Sequence, residues 1–179
     1  MHAIHDIQVP ADFERFFPAV IEIPQGSKLK YEIDPHTGLL VVDRVLYSSV
    51  HYPANYGFIP QTSAEDGDAL DVLVLMSEAV VPLAIVRARA IGGFRMRDDK
   101  GRDDKIVAIA IDDPAVAHYT EVGQLPPHTM RELRRFFQDY KALEGKVSEV
   151  DEPFGLQHAL AIVGEGLRAY RARGKPAEH

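Results

Sequence analysis

The apolar pattern of this chain changes period once, and that change limits the folds open to it. Up to Ile111 the apolar residues come in short runs or alternate; from Met130 they recur every third or fourth position. Alternation belongs to strands, and a return every three or four residues belongs to helices. Val20-Ile21-Glu22-Ile23 reads as a short strand closed by Pro24. Lys28 to Ile33 alternates, and Asp34-Pro35-His36-Thr37-Gly38 turns it into Leu39 to Val45, so the two form a hairpin. Leu70 to Met76, Leu83 to Phe94 and Ile106 to Ile111 are further strands. Gly92-Gly93 marks a bulge or a barrel-corner bend, and Arg97 to Lys105 reads as a charged hairpin tip. His51 to Pro60, with Pro53, Gly57 and Pro60, predicts neither a regular helix nor a central strand.

Pro126-Pro127 then opens an amphipathic helix striped by Met130, Leu133, Phe137, Tyr140 and Leu143 and ending near Gly145. A second runs from about Gly155 to Arg173 on Leu156, Leu160, Val163 and Leu167. Strands followed by helices predict an α+β fold. The expected architecture is a small five-stranded, OB-like β-barrel with two main α-helices packed outside.

The 179 residues are expected to form one domain over 1–179. A formal net charge of −7 argues against a general nucleic-acid or membrane surface. The apolar runs are of strand length, too short to span a bilayer. Met1 to Phe17 has no apolar segment of the kind a signal peptide carries. No cysteine is present, which removes disulfides, thiolate zinc sites and thiol redox chemistry. A cytoplasmic protein is the simplest expectation. Arg173 to His179 reads as a frayed end.

The densest chemistry lies in Asp66-Gly67-Asp68-Ala69-Leu70-Asp71, which feeds straight into Val72-Leu73-Val74-Leu75-Met76. In extended backbone Asp66 and Asp68 point the same way, and Gly67 lets the chain turn between them. Carboxylates held together repel one another unless a cation sits among them. Hard oxygen donors of this kind suit Mg²⁺, Mn²⁺ or Ca²⁺. Solvated turns use the same residues, so the triplet alone leaves both readings open. An EF-hand loop fails on position, because Leu70 offers no side-chain ligand and Asp71 stands where glycine is required. Elsewhere, Lys30, Glu32 and Arg44 share the first hairpin, and Tyr52 and Tyr56 offer phenolic donors or core rings.

Several blocks, in order, resemble one family. They are Ile21-Glu22-Ile23-Pro24; Lys30-Tyr31-Glu32; Val42-Asp43-Arg44; Tyr52-Pro53-Ala54-Asn55-Tyr56-Gly57; the Asp66 to Asp71 loop followed by Val72; Met96-Arg97-Asp98 with Asp103-Asp104-Lys105; and Phe136-Phe137-Gln138-Asp139-Tyr140-Lys141. From about Val20 to Glu144 the chain resembles the soluble, metal-dependent family I inorganic pyrophosphatases of bacterial type. One departure is Ala69, where the family usually has proline. It gives up roughly 0.4–1 kcal/mol of loop ordering and changes no ligand.

The resemblance implies hydrolysis of pyrophosphate to two orthophosphates by a metal-activated water. It implies two or more Mg²⁺ ions, with Mn²⁺ or other divalent ions as substitutes. Asp66, Asp71 and Asp103 would hold an activating ion, Asp71 would bridge to a second, and Asp98 would sit near the first or near substrate-borne metal. Glu22 and Glu32 would hold metal waters from outside. Asp68 would be the general base, with Asp103 as second choice. Lys30, Arg44, Tyr56, Lys105, Tyr140 and Lys141 would bind phosphoryl oxygens. A homohexamer is implied by the family's short members. Two rivals stand beside this reading: a non-enzymatic divalent-metal module, and a hydrolase of larger polyphosphates or nucleotides. A nucleic-acid-binding barrel wants a basic groove, which the acidic loop and net charge oppose.

Overall fold

The computed structural model describes residues 2–98 and 101–174. Asp99 and Lys100, within the charged tip, and residues 175–179 lie outside the described residues. In chain order the elements are β1 (Phe17–Ile23), β2 (Leu29–Ile33), β3 (Leu40–Val45), β4 (Asn55–Ile59), β5 (Leu70–Leu75), β6 (Ile85–Asp98) and β7 (Gly101–Ala110). These are followed by α1 (Pro127–Asp139), β8 (Glu149–Val150), β9 (Phe154–Gly155) and α2 (Leu156–Arg173).

Five strands close on themselves. β1 pairs antiparallel with β4 on one side and with β6 on the other, so that Val20 faces both Phe58 and Ile85. β4 pairs antiparallel with β5, β5 runs parallel to β7, and β7 returns antiparallel to β6. A sheet closed in this way hides the edges that an open sheet must protect. The register of β6 against β7 slips between Ala90 and Gly92, at the bend that Gly92-Gly93 marks. β2 and β3 form a separate two-stranded sheet outside the ring.

Apart from Asp71, β5 is apolar because both of its faces are covered. Leu70, Val72 and Val74 join the cluster under α2, with Phe17, Ile21, Ile59, Ala159, Val163 and Leu167. Leu73 joins the cluster under α1, with Tyr52, Tyr56, Phe94, Val107, Leu133, Phe136 and Phe137. Among the described residues no helix is long and apolar enough to cross a membrane.

Three expectations from the sequence are corrected. Asn55–Ile59 is a central strand, buried at every position. Its prolines lie outside it, at 53 and 60, and Gly57 is required inside it: a Cβ there would come within 1.8 Å of the Val20 carbonyl oxygen. The charged stretch from Arg97 to Lys105 is mostly strand, since β6 and β7 stay paired out to Asp98 and Gly101. The first helix ends at Asp139, short of Gly145, and a separate 3₁₀ turn, Ala142–Glu144, leaves Leu143 exposed.

Phe137 ties α1 to the ring. It is almost wholly buried, with ring centroids 5.6 Å from Phe94 and 6.1 Å from Tyr56. Phe137→Ala is expected to cost about 3–5 kcal/mol of unfolding free energy. Urea denaturation checks this, and a loss below about 1 kcal/mol would contradict the packing described.

Candidate active site

One cleft of about 830 Å³ is lined by all thirteen residues to which the family resemblance gives a role, while Tyr52 lies in the core. β1 supplies Glu22, β2 Lys30 and Glu32, β3 Arg44, β4 Tyr56 and β5 Asp71. The loop before β5 supplies Asp66 and Asp68. The far end of β6 supplies Asp98, the start of β7 Asp103 and Lys105, and the segment after α1 Tyr140 and Lys141.

The parallel pairing of β5 with β7 builds the centre. Val72 lies opposite Ile106, which sets Asp71 beside Lys105 on the neighbouring strand. Asp103 and Lys105 are two apart and share a face. Lys105 is 2% exposed. It donates to Asp103 at 2.7 Å, to the Tyr56 hydroxyl at 3.0 Å and, in a close ion pair, to Asp71. Burial alone would pull its pKa down, but Asp71 and Asp103 raise it, so the group stays charged. Burial, followed by Asp71 and Asp103, pushes the Tyr56 phenol well above its ordinary value.

Negative charge remains in excess. Asp103 is pushed up to about 6 by burial and by Asp71 and Asp66, with Lys105 opposing. Glu22 is pushed up to about 8 by burial and Asp71, although its carboxylate accepts the Ile33 N–H at 2.9 Å. The loop presenting Asp66 and Asp68 is tied internally. Asp68 N–H donates to the Asp66 carboxylate at 3.0 Å, and Ala64 N–H to the Asp68 carbonyl at 2.8 Å. From α2, Arg173 donates to the Gly67 carbonyl at 3.4 Å, so Ala69 sits in a loop braced from outside.

The opposite wall is cationic. Lys30 pairs with Glu32 and lies 3.5 Å from Asp43. Arg44 pairs with Asp43 and donates from Nε to Glu144 at 2.7 Å. Lys141 donates to Asp98 at 2.6 Å, which seats Asp98 against the cationic wall. Tyr140 is buried, its ring centroid 5.3 Å from the Lys141 ammonium. Asp43 and Glu144 also line the cleft and were not picked out as site residues. Asp43 had a signal, being next to Arg44; Glu144 had none, being 100 residues away from the side chain it holds.

Among the described residues no three His, Asp or Glu side chains converge tightly enough to enclose an ion. Lys105 stands between Asp71 and Asp103. In kind, however, the donors fit a hard divalent cation, because Asp66, Asp71 and Asp103 offer only oxygen. The Asp103 and Glu22 carboxyls are raised by burial first and by neighbouring carboxylates second, and a cation held among them would oppose both.

Similarity to known proteins covers most of the chain. Residues 19–171 match the family model described as inorganic pyrophosphatase. A relative named soluble inorganic pyrophosphatase 2, from Chlamydomonas reinhardtii, is 50% identical over 175 residues, spanning 98% of this chain and 91% of that protein. The crystal structure of inorganic pyrophosphatase from Thermus thermophilus superposes with a TM-score of 0.90 at 37% identity, covering 94% of this chain and 99% of that one. The inorganic pyrophosphatase structure from Helicobacter pylori gives 0.88 at 38% identity, covering 93% and 99%.

The Glu22 shift has a measurable consequence in chelator-treated protein. The folded group titrates near 8 and the unfolded one near its ordinary 4.5. Between those values the native state keeps a proton that the unfolded chain has lost, so this group lowers stability as pH rises through the window. Glu22→Gln is expected to shrink the fall in Tm between about pH 5 and about pH 8. Identical slopes for both proteins in thermal scans would show that Glu22 is not the group responsible.

Proposed function

We propose that this chain, which belongs to the inorganic pyrophosphatase family and hydrolyses inorganic pyrophosphate to two orthophosphates, carries out the reaction between the acidic and cationic walls of its cleft. The observation that carries the reading is the meeting of both charges in one cavity. Lys105 lies among Asp71, Asp103 and Tyr56, while Lys30, Arg44 and Lys141 line the same space.

Pyrophosphate carries several negative charges, so an attacking oxygen nucleophile is repelled from both phosphorus atoms. Lys30, Arg44, Lys105, Lys141, Tyr56 and Tyr140 bind its peripheral oxygens and draw charge off phosphorus. The Arg44 guanidinium suits a paired contact with two phosphoryl oxygens. Asp66, Asp71 and Asp103 would hold one Mg²⁺, Asp71 would also serve a second, and Asp98 would lie near the first or near metal carried by substrate. Glu22 and Glu32 would hold the outer waters, and Mn²⁺ or another divalent ion could substitute. When bound, such ions shield the substrate's charge and lower the pKa of water.

Asp68 takes a proton from the attacking water as its oxygen bonds to one phosphorus. The bond from that phosphorus to the bridging oxygen breaks, and the bridging oxygen leaves on the second phosphate. The cationic wall stabilises the charge that develops there. The same reading takes residues 1–179 as one domain of a cytoplasmic homohexamer.

Purified protein is expected to release phosphate from pyrophosphate with Mg²⁺ and to stop when EDTA is added. Parallel assays with ATP and tripolyphosphate separate this from a hydrolase of larger substrates, and no release from pyrophosphate would reject the assignment. Asp68→Asn is expected to lower kcat by about 10²–10⁴-fold while Tm and Mg²⁺ binding are unchanged. A near-normal kcat would move the base to Asp103.

A further inference from the structure

We infer that Glu144 is a positioning residue that presets the Arg44 guanidinium for substrate. This rests on the reading of Arg44 as a phosphate ligand. Arg44 stands on β3, in the two-stranded sheet outside the ring. Its long side chain has several rotatable bonds, and fixing it on binding costs entropy unless the fold has fixed it already.

Two acceptors fix it here. Glu144 takes Nε–H at 2.7 Å, and Asp43 takes a proton from Nη1. A guanidinium has five N–H donors in a planar fork. With Nε and one N–H of Nη1 held, Nη2 makes no hydrogen bond among the described residues and is left to donate to an anion in the cleft that Arg44 lines. The pair is shielded: the Glu144 side chain is 13% exposed and that of Arg44 23%. An ion pair with so little water around it holds geometry better than a surface pair does.

The position of Glu144 is itself built. It closes the 3₁₀ turn Ala142–Glu144, and Gly145 ends that turn at φ +71°, a conformation that favours glycine. Glu144 N–H donates to the Lys141 carbonyl at 3.0 Å, and Gly145 N–H to the Ala142 carbonyl at 3.1 Å. The same short turn therefore begins at Lys141, a cation of the site, and ends at the carboxylate that aims Arg44. It joins the hairpin outside the ring to the end of α1. Ser48 adds a second tie nearby, donating its hydroxyl to the Asp139 carbonyl at 2.9 Å.

The test is a double-mutant cycle on pyrophosphate hydrolysis in saturating Mg²⁺, with Arg44→Ala, Glu144→Ala and the pair combined, and with Glu144→Gln as an isosteric control. Thermal unfolding of each variant is recorded alongside. Glu144→Ala is expected to raise KM about tenfold with kcat largely kept, and Glu144→Gln, which retains an acceptor, to raise it less. In the Arg44→Ala background, removing Glu144 is expected to add no further loss. If Arg44→Ala weakens substrate binding but Glu144→Ala does not, or if the two losses add, Glu144 does not act through Arg44 and the inference falls. If Arg44→Ala leaves the kinetics unchanged, the reading of Arg44 as a phosphate ligand falls first and takes the inference with it.

Discussion

A lysine ammonium shut away from water among two carboxylates and a phenol is the interaction on which the rest of this structure depends. An unpaired buried charge costs several kcal/mol, so Lys105 is tolerated only because Asp71, Asp103 and Tyr56 surround it. Those partners come from β5, β7 and β4, three adjacent strands of the ring. The ring therefore holds the charged centre together, and the aromatic cluster of Phe137, Phe94 and Tyr56 insulates it on one side. The acidic loop is hung from this frame and braced by α2 through Arg173.

The two walls of the cleft are anchored differently. The acidic wall grows out of ring strands whose register is enforced by two covered faces. The cationic wall lies partly on β2 and β3, outside the ring, where side chains are steadied by carboxylates rather than by burial in a core. Donors on the barrel are held by burial, and those on the hairpin by neighbouring carboxylates. That division suits a substrate whose charge must be neutralised from several directions.

Much of the site could be read along the chain because its acidic residues are local. Asp66, Asp68 and Asp71 fall within six residues, and Asp103 and Lys105 within one strand. The change of apolar period separated strands from helices for the same reason. What could not be read was long-range. β4 was hidden because Pro53, Gly57 and Pro60 suppress the strand signal, and only contact with the Val20 carbonyl explains why glycine is needed there. The pairing of Lys141 with Asp98 and of Arg44 with Glu144 joins residues 43 and 100 apart, a separation that no periodicity reports. The extension of β6 and β7 through the charged stretch was missed because charge usually marks a turn, whereas here it lines a cavity.

The parallel pairing of β5 with β7 bears on the biosynthesis of the protein. Asp71 has no lysine to meet until β7 has left the ribosome, and between the two strands lies the whole of β6. Until then the nascent chain displays a cluster of mutually repelling carboxylates beside unburied apolar strands. Closing so long a connection carries an entropy penalty that only the completed ring offsets. Truncations that stop before Lys105 therefore lack both the closed barrel and the neutralising charge at its centre, and the last tether of the cationic wall arrives later still, with Glu144.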